Sequence, residues 1–402
     1  MNNDSSNSNS NNGSRLHLIK FDTDCIALAI AKKLVERIGV SSAIESPISY
    51  KSMKRYGHLH EKIISKENCK LAIINASKHK KNRRQVRKIL ENIDFYAEDL
   101  SARLVNLKFT SPYTKKVIKD GLSGKEREIQ VPKFYPDQCA HHAIVQVLRP
   151  IILKSSYHWS CANIPNRGIK QACIGVERAT VRDQRHAKYC AKMDIRKFYP
   201  SIPHDKLIEC FKRKIKDRNV IALIEVLVFT HSEGLPIGNY TSPWFAEFFL
   251  QPLDRLIKQK YNVRYYVRYA DDLVLIDNNK KRLRSTLYAI KSYLSLLGME
   301  LKHDYQVFKI YQNGKGRKID FVGRCFGKGF CTIRKRRALA FMRQSRKIQK
   351  LQVQGKPIPF KMASGFISRS ACLQHTNSKG LKRKYYDTIN LHNLKQVIRK
   401  GA

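Results

Sequence analysis

Three features of the sequence predict an α+β fold. Long stretches place apolar residues at three- and four-residue intervals, as in NRRQVRKILENIDFYAEDLSARL (82–104), which is the period of an amphipathic helix. Shorter apolar and aromatic runs, such as YVRYADDLVLI (266–276), have the residue types of paired strands. Gly- and Pro-rich stretches such as GLPIG and FYPSIP separate the two kinds of segment. A chain of 402 residues can bury a large core and is expected to fold as two or three lobes.

The charge balance narrows the class of function. Seventy-eight Lys and Arg against 32 Asp and Glu leave a net charge of +46, which repels itself unless a polyanion neutralises it. Nucleic acid is the natural partner, because phosphates bind Lys and Arg with release of counterions. A membrane partner is not expected, since no apolar run reaches the roughly 18 residues of a span and no signal peptide opens the chain. The ten cysteines contain no C-x-x-C pair and sit mostly in apolar stretches, as in AKYC and IECF. They read as reduced core thiols of a cytoplasmic protein rather than a disulfide framework or a zinc site.

Along the chain, residues 1–14 form a polar, low-complexity tail with nothing to bury, expected to be disordered. Residues 15–57 form an N-terminal extension in which CIALAIAKKLVERIG has helical spacing and ends at a glycine. Two amphipathic helical stretches follow, HLHEKIISKENCKLAIINASK (58–78) and residues 82–104. At their junction KHKKNRRQVRK (78–88) holds seven cations and no acid, which points to nucleic-acid contact beyond a solvated helix face. Residues 125–152 read as a strand, a Pro-bounded turn and a helix, and residues 189–215 as a buried strand, a Pro stop and a helix. GLPIGNYTSPWFAEFFLQPLDRLIKQKY is a loop leading into a long helix. A hairpin around Ala270-Asp271-Asp272 comes next, then a helix from about 280 to 297 and two short strands near KIDFVGRCF and GFCTIRK. The remainder is helical and basic, with eight cations from Arg334 to Lys350 and no acid.

Asp271 and Asp272 place two like charges side by side, at a cost that a cation or protonation must relieve. Asp194, in AKMDIRKFYPSI, is a third carboxylate at the end of an apolar run, where an unpaired charge is expensive. Three carboxylates converging at strand ends would make a hard-oxygen cage for Mg²⁺, and two such ions about 4 Å apart clamp the oxygens of a phosphoryl transfer.

MDIRKFYPSI (193–202), GLPIGNYTS (234–242) and YVRYADDLVLI, in this order and spacing, resemble the motifs of a reverse transcriptase palm, and the resemblance extends over about residues 58 to 390. It implies a right-hand polymerase with an antiparallel palm sheet, fingers and palm within 58–332 and a basic helical thumb in 333–402. It further implies RNA-directed DNA polymerisation with two Mg²⁺ ions, for which Mn²⁺ can substitute. Asp194 and Asp271 would ligate both metals with Asp272 beside them, and the Ile195 carbonyl would complete a metal shell. Tyr199, five residues past Asp194, would stand at the steric gate against a ribose 2′-OH. Pro236, Ile237 and Gly238 would lie against the incoming base pair. Lys125 and Arg127, in GKEREI, match fingers cations that hold the triphosphate. With Tyr305 near the place of the usual fourth-motif lysine, Lys302 and His303 are the candidate proton donors to pyrophosphate.

Ile237, where many reverse transcriptases have Gln, is similar to the enzymes of diversity-generating retroelements and to bacterial groups linked with antiphage defence. Retron and group II intron enzymes resemble the chain less. The implied partners are a structured template RNA, an RNA–DNA duplex and dNTPs, with an accessory protein encoded nearby as a further candidate. A catalytically idle RNA-binding scaffold is the alternative of a different class, and the three retained carboxylates argue against it. A ribonucleotide polymerase would be obstructed by Tyr199.

Overall fold

The computed structural model describes residues 55–119, 124, 126–374 and 376–400. The tail, residues 15–54 of the extension with its expected helix, and Lys125 lie outside the described residues.

Four helices open the described chain: α1 (His60–Ile64), α2 (Lys66–Ser77), α3 (Arg84–Glu91) and α4 (Ile93–Val105). Ser65 breaks the first predicted stretch in two, its hydroxyl accepting from Asn68 N at 3.2 Å as the cap of α2. The antiparallel hairpin β1 (Thr114–Lys119) and β2 (Glu126–Val131) follows, then α5 (Cys139–Lys154), on which α2 packs. Next come α6 (Ile169–Glu177), β3 (Tyr189–Asp194), α7 (His204–Lys214), α8 (Arg218–Phe229) and α9 (Ser242–Arg255). The expected hairpin is β4 (Tyr265–Tyr269) and β5 (Asp272–Asp277), and α10 (Lys280–Leu296) and β6 (Gln306–Lys309) follow it.

Strands β4, β5, β3 and β6 form one antiparallel sheet in that spatial order. Strand alternation divides its side chains between two cores. Ala191, Met193, Leu273, Leu275 and Tyr266 face the large helical core, while Cys190, Val267, Val274 and Ile276 join a second cluster with α6 and the later strands.

The two short strands expected near residues 318–335 are three: β7 (Ile319–Phe321), β8 (Arg324–Gly327) and β9 (Phe330–Ile333). KIDFVGRCF folds back on itself because Val322 and Gly323 both take positive φ, 44° and 82°. The basic remainder is helical as expected: α11 (Lys335–Val353), α12 (Phe360–Ser370), α13 (Lys379–Tyr385) and α14 (Leu391–Lys400). It has its own core around Phe341, Ile348, Phe366 and Leu394. Arg334 to Asp320 (2.8 Å) and a reciprocal pair between Asn377 and Cys331 (2.7 and 2.8 Å) tie it to the three-stranded sheet. Among the described residues the cysteines are free thiols, mostly buried, and no helix is long and apolar enough to cross a membrane.

Both basic runs face solvent. Six of the seven cations in 78–88 are exposed, with Lys80 half-buried against Gln138 and the Phe134 ring. On α11, Phe341, Ser345 and Ile348 turn inward while Arg343, Arg346, Lys347 and Lys350 turn outward.

His141, fully buried on α5, has no partner for either ring nitrogen, and burial, reinforced by His142 and His231, pushes it down to about 3. Burial holds His142 and His231 down at about 4 as well. These folded values lie below the ordinary imidazole value of about 6.5, so between them the unfolded chain binds more protons. The contribution of these three histidines to stability should therefore fall as pH drops from about 6.5 towards 4, against an opposite contribution from carboxyls raised in the folded state, such as Asp272 at about 7. His141→Leu should flatten that loss, which urea unfolding at a series of pH values measures.

Candidate active site

The ladder brings two predicted carboxylates face to face. Asp194 ends β3, Asp272 begins β5, and the two are direct antiparallel partners. Asp271 lies in the two-residue turn between β4 and β5, where its carbonyl accepts from Ile195 N at 3.1 Å. Ala270, the other turn residue, holds φ at 54°, a conformation glycine adopts far more easily.

Burial and the neighbouring Asp194 charge raise the Asp271 carboxyl above the usual range. Burial pushes Asp272 up to about 7, with Lys192 opposing and Asp194 and Asp271 reinforcing the shift. Two ammonium groups offset part of the repulsion. Lys302 forms an ion pair with Asp194, and Lys192, two residues before Asp194 on the same face of β3, stands 3.5 Å from Asp272. Burial works against the Lys302 charge, but the hydrogen bond and charge of Asp194 outweigh it and raise the Lys302 pKa. The Lys302 N–H also donates to the Asp194 carbonyl at 2.8 Å. His303 is exposed, so of the two candidate proton donors the fold brings Lys302 to the carboxylates.

Asp194 Oδ1 and Asp272 Oδ1 are buried, and each faces an ammonium group, Lys302 and Lys192 respectively. Such oxygens are the donors a hard divalent cation takes, so these residues fit Mg²⁺ or Mn²⁺. Among the described residues no group of three or more His, Cys, Asp or Glu forms a ready-made cage, and Asp194 is engaged by Lys302 instead. Ile195 is fully buried on the large core, fixed by its N–H to the Asp271 carbonyl and by a bridge to Leu301.

Tyr199 is packed against the same core, and burial, with the Asp271 charge adding to it, pushes its phenol up to about 12. Its hydroxyl lies 3.5 Å from Asn163 Nδ2. Its carbonyl accepts from Leu235 N at 2.8 Å, which ties the Tyr199 segment to the loop carrying Pro236, Ile237 and Gly238. A Cβ on Gly234 would stand 2.3 Å from the Pro200 carbonyl oxygen, so this contact requires glycine. The Gly234 carbonyl is also 2.8 Å from His204 Nε2. Pro236 is buried, Ile237 half-buried and Gly238 exposed. Ile237 O accepts from Gln130 N at 2.8 Å, which joins the loop to β2. Arg127 is exposed three residues earlier on β2, and no contact brings it to the carboxylates.

Sequence reasoning missed Lys192 and the buried partners of Arg268. A single Arg between Val267 and Tyr269, inside an apolar run, was the available signal, because a buried cation requires partnered acids. Those acids are Glu247 and Asp254 of α9.

An antiparallel sheet with opposed aspartates at its strand ends, flanked by helices and followed by a separate helical core, is the architecture of a right-hand polymerase. Residues 115–323, just over half of the chain, match the family described as reverse transcriptase (RNA-dependent DNA polymerase), and the chain belongs to that family. The Retron Ec73 reverse transcriptase of Escherichia coli is 31% identical over 162 residues, 37% of this chain and 49% of the relative. An uncharacterised 91 kDa protein in the cob intron of Schizosaccharomyces pombe is 26% identical over 156 residues, 36% of this chain and 18% of that protein. The chain spans about half the length of the first relative and less of the second. A retron enzyme and an intron protein, types that the residue pattern had set further off, are thus among its relatives. Telomerase from Candida albicans, in complex with a fragment of telomeric RNA, aligns with a TM-score of 0.42 and 12% identity over 72% of this chain and 61% of that one. Apo telomerase from Candida tropicalis aligns at 0.45 and 14%, over 78% and 62%.

Gly238 offers a local test. Its φ is 125°, and a Cβ there would lie 2.0 Å from Gln130 O. Gly238→Ala should destabilise the protein by about 1–3 kcal/mol through overpacking and backbone strain. Gly355→Ala, with φ of 63° but open space around it, carries left-handed strain without the clash and should cost about 1–2 kcal/mol. Urea denaturation of the two variants separates the contributions.

Proposed function

We propose that this chain is an RNA-directed DNA polymerase that copies a dedicated structured RNA into DNA by two-metal nucleotidyl transfer. The observation that carries the reading is the opposition of Asp194 and Asp272 on neighbouring strands, with Asp271 in the adjoining β4–β5 turn, in a member of the reverse transcriptase family. The reaction forms a bond between the primer 3′-oxygen and the α-phosphorus of a dNTP, with the hydroxyl proton released to water, and breaks the α-phosphorus–oxygen bond to pyrophosphate. Mg²⁺ ions, or Mn²⁺, would supply Lewis-acid stabilisation of the attacking and leaving oxygens. Asp194, Asp271 and Asp272 would hold them, with the Ile195 carbonyl completing a shell.

The other roles follow from position. Lys302, an ammonium kept charged beside Asp194, would give its proton to the leaving pyrophosphate. Tyr199 would exclude a ribose 2′-OH, and Pro236, Ile237 and Gly238 would bear on the incoming base pair. Lys125 and Arg127 would hold the triphosphate from the hairpin that Gln130 ties to that loop. The exposed cations of 78–88 and α11 would take the phosphates of template RNA and product duplex. We assign residues 58–332 to fingers and palm and 333–402 to the thumb.

For biological role we favour antiphage defence by a cytoplasmic enzyme, with an accessory protein encoded nearby. The support is the extension before residue 58 and the Ser242-Pro243 pair, in which Pro243 stands where the resemblance to retroelement enzymes implies Gln. Ile237 supports the second reading, the polymerase of a diversity-generating retroelement. The gene neighbourhood separates them: a template repeat beside a variable target gene means diversification, and a cluster of defence genes means immunity.

Primer extension on an RNA template, with Mg²⁺ and either dNTPs or NTPs, tests the chemistry. Asp271→Ala with Asp272→Ala should abolish dNTP incorporation while RNA binding stays within about twofold, because both side chains serve metal rather than core. Near-normal incorporation by the double variant would sink the proposal.

Sugar choice is the second test. Tyr199→Ala should raise the kcat/KM of GTP relative to dGTP at least about tenfold, or about 1.4 kcal/mol at the transition state. A lower melting temperature with an unchanged ratio would make Tyr199 a core residue only.

A further inference from the structure

Arg268 of β4 is 1% exposed, although no cation belongs inside a sheet without compensation. Its guanidinium is clamped from α9. Nε donates to Asp254 Oδ1 at 2.8 Å, Nη2 to Asp254 Oδ2 at 2.6 Å, and Nη2 lies 3.0 Å from Glu247 Oε2. Glu247 and Asp254 are seven residues apart, two turns along one helix face. Each acid is held in turn: Tyr266 OH donates to Asp254 at 2.7 Å, and Ser160 and Ser156 hydroxyls donate to Glu247 at 2.7 and 3.1 Å. The Arg268 backbone is fixed too, its N–H on Trp159 O at 3.0 Å and its carbonyl accepting from Cys161 N at 2.9 Å.

The free edge of the guanidinium points along the strand to the catalytic turn, with Nη1 3.5 Å from Ala270 O. That turn combines a left-handed alanine with the half-buried Asp271, next to the half-buried Asp272 that begins β5, so its own conformational energy favours relaxation. Stability alone is a weak reason for such a network, because well-packed apolar residues commonly replace buried ion pairs at no loss. A rigid two-pronged fork does supply a fixed direction and height, which a hydrophobic contact does not.

We infer that Arg268 is a positioning residue: clamped by Asp254 and Glu247, it holds the β4–β5 turn so that Asp271 and Asp272 stand in metal-binding geometry. The inference rests on the assignment of those aspartates to the metals.

The test compares Arg268→Lys, which keeps the charge and loses the fork, with Glu247→Gln, which keeps the shape and loses a charge. Readouts are Mn²⁺ binding, from the loss of the free-ion EPR signal, melting temperature, and the Mg²⁺ dependence of dGTP incorporation. Arg268→Lys should weaken Mn²⁺ binding about tenfold and raise the half-saturating Mg²⁺ by a similar factor. The KM for dGTP at saturating metal should stay within about twofold, since the nucleotide contacts are untouched. Glu247→Gln should shift both metal readouts in the same direction.

Should both variants fail to fold, Ser160→Ala removes one hydroxyl from the network and should still weaken Mn²⁺ binding about twofold. Any of these variants folded and binding Mn²⁺ as the parent does overturns the inference, because a purely structural network lowers the melting temperature alone. Asp271→Asn separates the premise from the inference. If it binds Mn²⁺ normally, the carboxylate assignment fails. If it loses Mn²⁺ while the Arg268, Glu247 and Ser160 variants do not, only the role of Arg268 falls.

Discussion

The site is organised by one unfavourable interaction, the enforced opposition of Asp194 and Asp272 across the β3–β5 ladder. Strand pairing fixes the two backbones, so the carboxylates cannot separate without breaking the register. Asp271 adds a third charge in the adjoining turn. The raised pKa values of Asp271 and Asp272 express the same strain, burial first and mutual repulsion after it. Lys302 and Lys192 are placed where that repulsion is greatest, one on each of the two opposed carboxylates. A divalent cation would replace two partial compensations with one complete one, at the buried oxygens that the two ammonium groups face.

The surrounding loops make this arrangement stiff. Leu235 N on Tyr199 O, His204 on Gly234 O, and Gln130 N on Ile237 O form a continuous set of ties from the palm segment through the glycine loop to the β1–β2 hairpin. Gly234 and Gly238 permit two of these approaches by lacking a Cβ. A displacement of the hairpin that carries Arg127 therefore acts on the wall beside Tyr199 through backbone contacts rather than through mobile side chains.

Much of this was legible beforehand, and the reason is chemical. Asp194 and the Asp271-Asp272 pair stood out as charges against apolar surroundings, and the ladder brings them together, while Gly238 stood out as a glycine in a loop that approaches other backbone closely. Helix spans such as 280–296 followed from periodicity alone. What stayed hidden depends on pairing across long sequence separations. Arg268 finds Glu247 and Asp254 only once β4 lies on α9, and Lys302 was one of two candidates until the bridge at Leu301 placed it beside Asp194. The third strand of the small sheet was missed because Val322, a β-branched residue, takes positive φ against its intrinsic preference. Arg127 remains a matter of chemistry rather than contact, since its side chain is exposed.

The excess of positive charge and the acidic site constrain each other. A protein with a net charge of +46 repels small cations, and the ammonium groups of Lys302 and Lys192 stand on the very oxygens a metal would use. Phosphates reverse both effects. A duplex lying across the exposed cations of 78–88 and α11, as proposed, would neutralise the surrounding field within about a Debye length, roughly 8–10 Å at physiological salt. A triphosphate arriving at the carboxylates would bring its own negative charge and give Lys302 an alternative partner. Metal affinity should therefore be higher in the assembled complex than in the free chain, and the acids that hold fixed geometry in the free chain, Glu247 and Asp254, are the ones paired with an arginine that cannot lose its proton.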